Sequence, residues 1–214
     1  MGQKPNLEVA VKSLNGARKI KRKYDAILTI EDPLFRNGLR FHKRPHPDQL
    51  VLMFEDVDVV HEDIAMPDIA HIKAAIEFAR EHSDGSVLVH CKAGVARSTA
   101  LALGILADRL GEGREGEAVN HLLKIRDCAV PNLVVLDLVD TFLERGGKLT
   151  AAWMSVENAS ANYAHHRRLK AKMLKDYPAL YKAPFHSLSY SAWRFRPNTL
   201  VRESVIEPTS TPTP

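Results

Sequence analysis

Cysteine is scarce in this chain, two among 214 residues, which excludes a disulfide-stapled scaffold and suits a reducing compartment. No run of eighteen apolar residues occurs, so no membrane span is expected. The stretch from Met1 to Lys23 is basic and lacks the unbroken apolar core of a secretory signal, which makes the cytoplasm the expected location. Nowhere do His, Cys, Asp and Glu cluster at ligand spacing. His165-His166 reads as a surface pair, and neither a metal nor a cofactor is expected. Internal repeats are absent as well. What is present suits a globular protein: 45% of the residues are hydrophobic, enough to fill one core in a chain somewhat longer than the ~150 residues of a common single domain.

Chemistry concentrates in one segment. A short apolar strand, Val87-Leu88-Val89, runs into His90-Cys91-Lys92-Ala93-Gly94-Val95-Ala96-Arg97-Ser98, and Thr99 to Leu110 reads as a helix. A helix N-terminus leaves backbone N–H groups unpaired and carries roughly half a positive charge, so it attracts phosphate. If Lys92, Ala93, Gly94, Val95 and Ala96 wrap a tetrahedral anion, their amides form a nest for its non-bridging oxygens. Gly94 accepts the positive φ that such a bend requires. Arg97 adds a planar fork that holds two phosphate oxygens at once, which Lys does not offer. Cys91 lies at the floor of this positive field, where the thiolate is favoured and is placed to attack phosphorus and form a phosphocysteine. Ser98 can offer its hydroxyl to the sulfur and ease its departure. His90 is expected to face the interior and orient the loop through hydrogen bonds, without acting as a base.

The string His-Cys-x-x-Gly-x-x-Arg-Ser after a hydrophobic strand resembles the signature of the cysteine-dependent protein tyrosine phosphatases, particularly their compact dual-specificity, bacterial-type branch. Two apolar segments upstream, Tyr24 to Ile30 and Leu50 to Phe54, look like the core strands of that superfamily. Downstream, Ala129-Val130-Pro131-Asn132 opens an apolar helix that runs to Gly146-Gly147-Lys148-Leu149. The resemblance covers about residues 20 to 150. It implies an α/β fold with a central mixed sheet flanked by helices, a phosphatase domain over 1–150, and a phosphoprotein substrate bearing phosphotyrosine, with phosphoserine and phosphothreonine as further candidates.

The reaction also needs an acid, because the leaving oxygen must be protonated as the P–O bond breaks, a contribution of ~10²–10⁴ in rate. In the family this acid follows a strand some thirty-odd residues before the cysteine. Asp56 in Phe54-Glu55-Asp56 is the first choice by that resemblance and Asp58 the second. Asp63 and Asp68 rank lower, since Pro67-Asp68 reads as a helix start, where an acid complements the positive end. Partial burial would have to raise the chosen carboxyl for it to hold a proton at neutral pH.

Periodicity suggests an N-terminal helix from Leu7 to Leu14 and a helix from Pro67 to His82, with Ile69, Ile72, Ala75, Ile76 and Phe78 on its apolar face. Further helices are expected near Gly116 to Arg126 and Asn132 to Arg145. Cys128 reads as a core residue, with a protective disulfide to Cys91 as the alternative. From residue 151 onward the chain holds nine basic and four acidic residues, against 21 and 22 before it, so the net charge of +4 resides in this extension. A helix from Val156 to Asp176 would carry Arg167, Arg168, Lys170, Lys172 and Lys175, followed by Tyr181, Phe185, Tyr190, Trp193 and Phe195. Residues 151–207 thus read as a helical or irregular extension packed on the domain, its basic face solvated, with contact to nucleic acid or an anionic membrane as the competing reading. The Pro/Thr-rich end, 208–214, reads as disordered.

The loop demands a phosphomonoester without choosing what carries it. A phosphoinositide or an RNA 5′ end competes with a phosphoprotein, and Lys92 could meet a second phosphate, although Val95 and Ala96 stand where phosphoinositide phosphatases carry further basic residues. The basic run Arg18-Lys19-Ile20-Lys21-Arg22-Lys23 would line the rim or simply be solvated. Two other classes stand beside these: a non-catalytic module that binds phospho-ligands, and a sulfurtransferase, whose cysteine loop is shorter.

Overall fold

The structure is a computed structural model that describes residues 5–33, 45–62 and 64–181, together with the backbone of 193–196 and 199–202. In chain order the elements are β1 (Val9–Ser13), α1 (Leu14–Ile20), β2 (Ala26–Glu31), β3 (Gln49–Met53), α2 (Ile69–Glu81), β4 (Val87–Cys91), α3 (Arg97–Leu110), α4 (Glu115–Ile125), α5 (Leu133–Phe142), α6 (Lys148–Asn158), α7 (Ala161–Asp176), β5 (Trp193–Arg196) and β6 (Thr199–Arg202). The sheet is mixed. Its strand order is β1-β4-β2-β3-β5-β6, with the first four parallel and β5 and β6 joined antiparallel at the β3 edge.

Both faces of the parallel part are covered, which explains why its strands read as nearly unbroken apolar runs. Side chains alternate across the sheet. Val87, Val89, Leu28 and Leu50 join the main core beneath α2, α3, α5 and α6. Ile27 and Leu88 point the other way, against Ala17 and the partly buried Leu14 and Ile20 of α1. Helix α3 runs through the middle of the core with twelve of its residues buried. Its Gly104 sets the spacing to α5, since a Cβ there would stand 2.6 Å from Cγ1 of Val139.

Three expectations are corrected here. Residues 9–13 form a strand and not part of a helix: Val9 and Val11 are buried in alternation and pair in register with Val87 and Val89 of β4, a non-local contact that outweighs local spacing. The expected 156–176 helix is two helices that break at Ala159-Ser160, and the first of them begins at Lys148, after Gly147 with φ 84°. Residue 150 therefore falls inside α6, whose Trp153 is fully buried in the main core and donates to Glu157 Oε2 at 2.7 Å. Cys128 is exposed, not a core residue, and both cysteines are free. It lies in the turn between α4 and α5, and the chain is buried from the next residue on, Ala129 to Asn132.

Other expectations match. Asp68 caps α2 and accepts from the His71 amide at 3.0 Å, and His165 and His166 are an exposed pair on α7. In the run Arg18 to Lys23, which closes α1 and a 3₁₀ turn, Arg18, Lys19, Arg22 and Lys23 are exposed as a solvated face would be, whereas Lys21 is buried. Among the described residues no helix is long and apolar enough to cross a membrane. Asp63, Phe185, Tyr190 and the 208–214 tail lie outside the described residues.

Candidate active site

The carboxyl ends of the four parallel strands converge on the segment from Cys91 to Arg97, as ligand sites in open α/β sheets do. Strand β4 ends in Cys91, β1 ends in register with it at Ser13, β2 delivers Asp32, and β3 delivers Phe54 to Asp56.

The hydrogen bonds of the loop's carbonyls define its shape. Lys92 O accepts from the Leu14 amide at 3.1 Å, and Ala93 O and Gly94 O accept from the Arg126 guanidinium at 3.3 and 2.7 Å. Val95 O accepts from the Val130 amide at 2.8 Å, and Ala96 O from the amides of Ala100 and Asn132 at 3.0 and 3.3 Å. All five carbonyls are thus engaged on the outside of the loop. Every peptide bond is trans, so each outward carbonyl turns the following N–H inward. The amides of Ala93 through Arg97 consequently line a bowl above the sulfur, and that of Gly94 donates to Cys91 Sγ at 3.3 Å. Gly94 itself has φ 69°, and a Cβ there would stand 2.5 Å from the Lys12 carbonyl carbon. Glycine is demanded twice, by the dihedral and by the backbone of β1.

Cys91 is buried, with Ser98 Oγ 3.2 Å from its sulfur. Arg97 is also buried. Its Nη2 pairs with Asp32 at 2.6 Å and its Nη1 donates to Phe54 O at 2.7 Å. Its Nε has no hydrogen-bond partner among the described residues and lies 3.9 Å from Asp56. Burial opposes the Arg97 charge, but Asp56, Asp32 and Cys91 outweigh it, so the guanidinium stays charged. It is held on one side and free to donate on the other.

His90 sits beneath the loop, as its neighbours in β2 and β3 require. Gln49 donates to Thr29 Oγ1 at 2.7 Å, Thr29 contacts His90 Nε2 at 2.9 Å, and His90 Nδ1 contacts Cys91 O at 3.3 Å. The carbonyl can only accept, so a neutral ring carries its proton on Nδ1 and Thr29 donates to Nε2. Burial pushes the ring down to about 4, with Arg18 and Lys21 adding to the effect against the bond to Cys91 O. A neutral, oriented histidine supports the strand-to-loop junction.

The acid candidates part company. Asp56 Oδ1 accepts from Lys170 Nζ at 2.5 Å and from Asn132 Nδ2 at 2.9 Å. Burial would raise this carboxyl, but Lys170 and then Arg97, with the two hydrogen bonds, outweigh it and hold it below its ordinary range. This is opposite to the upward shift that an acid at neutral pH needs. Asp58 accepts from the Leu133 amide at 3.1 Å and pairs with Arg167 and Lys170, each at 2.9 Å, so it ties the start of α5 to α7. Glu55 is buried with Oε1 unpartnered; burial, then the charges of Asp32 and Asp56 against that of Arg97, push it up to about 7. Two adjacent carboxyls are thereby separated in proton affinity, a pattern typical of acid–base sites.

Cys91, Arg97, Ser98 and Asp56 are brought together, His90 supports them, and Lys92 and Ala93 stand exposed on the rim of the bowl. Sequence reasoning missed Asp32, Glu55, Arg126, Asn132, Arg167, Lys170 and Tyr181. The signal for Asp32 was its place after an apolar strand and before Pro33. Asn132 was visible as an N-cap, accepting from the Val135 amide at 3.0 Å. Tyr181, just beyond α7, lies within electrostatic reach of the site: burial, then Asp56, Glu55 and Asp32, raise its phenol. Between the segment 56–61, with Ile64, and α7 lies a cavity of about 540 Å³ with apolar walls that include Val57, Ile64, Leu133 and Leu174.

Scans against family models and curated proteins found no match. Among solved structures, the chain is similar to the human tyrosine phosphatase-like serine/threonine/tyrosine-interacting protein at 19% identity, covering 64% of this chain and 93% of that one with a TM-score of 0.49. It is similar to Tk-PTP in its active form at 20% identity, 68% and 99% coverage and a TM-score of 0.48. A third likeness is to PTPMT1 in complex with PI(5)P, at 22% identity, 68% and 94% coverage and a TM-score of 0.47.

Proposed function

We propose that this chain is a phosphomonoester hydrolase that works through a phosphocysteine intermediate and acts on phosphoproteins, phosphotyrosine first and phosphoserine or phosphothreonine second. The observation that carries this reading is the outward engagement of all five carbonyls from Lys92 to Ala96, which leaves a bowl of inward amides over Cys91. Such a bowl suits a tetrahedral dianion.

In the first step the phosphate sits on these amides and on the free edge of Arg97. Cys91 Sγ attacks phosphorus, the P–O ester bond breaks, and the leaving oxygen takes a proton from Asp56. The incoming dianion offsets the pull of Arg97 on Asp56 and so raises that carboxyl toward proton-holding. In the second step water attacks phosphorus and gives its proton to the Asp56 carboxylate. The S–P bond breaks, with Ser98 Oγ donating to the departing sulfur, and inorganic phosphate leaves.

Phosphate release from phosphotyrosine, phosphothreonine, phosphoinositide and 5′-phosphorylated RNA, each measured for the natural chain and Cys91→Ser, tests the reading. Turnover of phosphotyrosine peptide that Cys91→Ser abolishes is expected. No release from any substrate would leave a binding module, and preference for either non-protein substrate would overturn the assigned substrate class.

A further inference from the structure

The basic helix α7 carries two cations that are mostly buried. Arg167 and Lys170 stand one turn apart on the face toward the body, whereas Arg168, Lys172 and Lys175 are exposed. Arg167 is braced by Glu157 Oε2 of α6, with 2.5 Å between the charged atoms, and donates to Pro131 O at 3.1 Å. It pairs with Asp58 at 2.9 Å. Lys170 bridges Asp58 and Asp56 at 2.9 and 2.5 Å. A chain of charges therefore runs from the core through Glu157, Arg167, Asp58 and Lys170 to the carboxyl beside Arg97.

We propose that α7 belongs to the active site and that Lys170 is a positioning residue, holding the Asp56 carboxyl in place and setting the pH range over which it exchanges its proton with substrate. The proposal rests on Asp56 as the acid in the reading above. Removal of a cation stabilises the protonated carboxyl, so the alkaline limb of the rate profile, where the acid loses its proton, must move to higher pH. Every charged group facing Asp56 enters the prediction. Arg97 comes from α3 and Lys170 from α7, with Glu55 beside it on its own segment, Asp58 two residues on, Asp32 across Arg97, and Tyr181 after α7. Of these, substitution of Lys170 removes a cation in direct contact without disturbing the phosphate loop. Arg167 acts one step further out, by fixing Asp58 and through it the position of Lys170.

The test compares pH profiles of kcat, which report the groups of the enzyme–substrate complex, for the natural chain, Lys170→Met and Lys170→Arg, each as the full chain. Phenyl phosphate is the substrate that needs a proton on its leaving oxygen, and 4-nitrophenyl phosphate is the one that needs little help. With phenyl phosphate, Lys170→Met is expected to move the alkaline limb upward by about one pH unit, the lower end of the effect of a close opposite charge. Lys170→Arg should restore the limb. With 4-nitrophenyl phosphate, which needs no proton on its leaving group, the alkaline limbs should nearly coincide. An unmoved limb in an active, folded Lys170→Met overturns the proposal, and so does an equal movement in an Asp56→Asn background. Should Lys170→Met not fold, Lys170→Gln gives the same readout. If the natural chain hydrolyses neither ester, the hydrolase reading has failed instead, which separates the two outcomes.

Discussion

Lowering the pH should destabilise the fold through His90, by an amount the structure fixes. The ring is 1% exposed and its proton affinity is pushed down to about 4 from an ordinary 6.5, burial being the largest cause. In the unfolded chain the ring binds a proton as the pH falls through 6.5, while in the folded chain it does not until about 4. The stability His90 contributes is therefore complete above 6.5 and is lost as the pH falls toward about 4, because the unfolded state binds the extra proton. At 1.36 kcal/mol per unit, the loss between about pH 7.5 and about pH 4.5 comes to roughly 2–3 kcal/mol. Carboxyls titrate in the same range, so the measurement is a difference. Urea unfolding of the natural chain and of His90→Asn, which does not titrate, is followed across this range. The variant loses the contact to Thr29 and should be less stable throughout, but its disadvantage should shrink by roughly 2–3 kcal/mol at the acid end. A difference that stays constant with pH would refute the buried neutral histidine.

Two further substitutions probe the loop and its acid. Gly94→Ala forces φ 69° on an alanine and drives a methyl against the Lys12 backbone. A cost of about 1–2 kcal/mol for the dihedral and about 1–3 for the overlap is expected in a thermal melt, with turnover down at least ~10²-fold as the amides shift. Unchanged kcat/KM would mean that the bowl does not bind phosphate. Asp56→Asn should lower kcat on phenyl phosphate by ~10²–10⁴ and leave 4-nitrophenyl phosphate much less affected; if Glu55→Gln shows this split and Asp56→Asn does not, the proton comes from the neighbouring carboxyl.

The phosphate loop was legible because its residue types and spacing are local, and one strand–loop–helix unit holds all of them. What lay beyond reach came from contacts across the chain. Leu7, Val11 and Leu14 stand at helical spacing, and pairing with β4 makes Val9 to Ser13 a strand instead. Asp32 gains its place beside Arg97 from the adjacency of β2 and β4 in the sheet, which no stretch of sequence displays. The basic run on α7 reads as a solvated face in composition, yet Arg167 and Lys170 meet acids more than a hundred residues earlier. Trp153 looked like part of an appended extension, and its burial in the main core depends on α6 packing against α4 and α5.

The central claim is a covalent phosphoryl group on Cys91, and it is tested most directly by rapid acid quenching of the chain during turnover of a phosphotyrosine peptide, followed by mass measurement of the peptide that contains Cys91. The account predicts one added phosphoryl group on Cys91, absent in Cys91→Ser. Steady turnover with Cys91 never modified, or with the phosphoryl group on another residue, would contradict it.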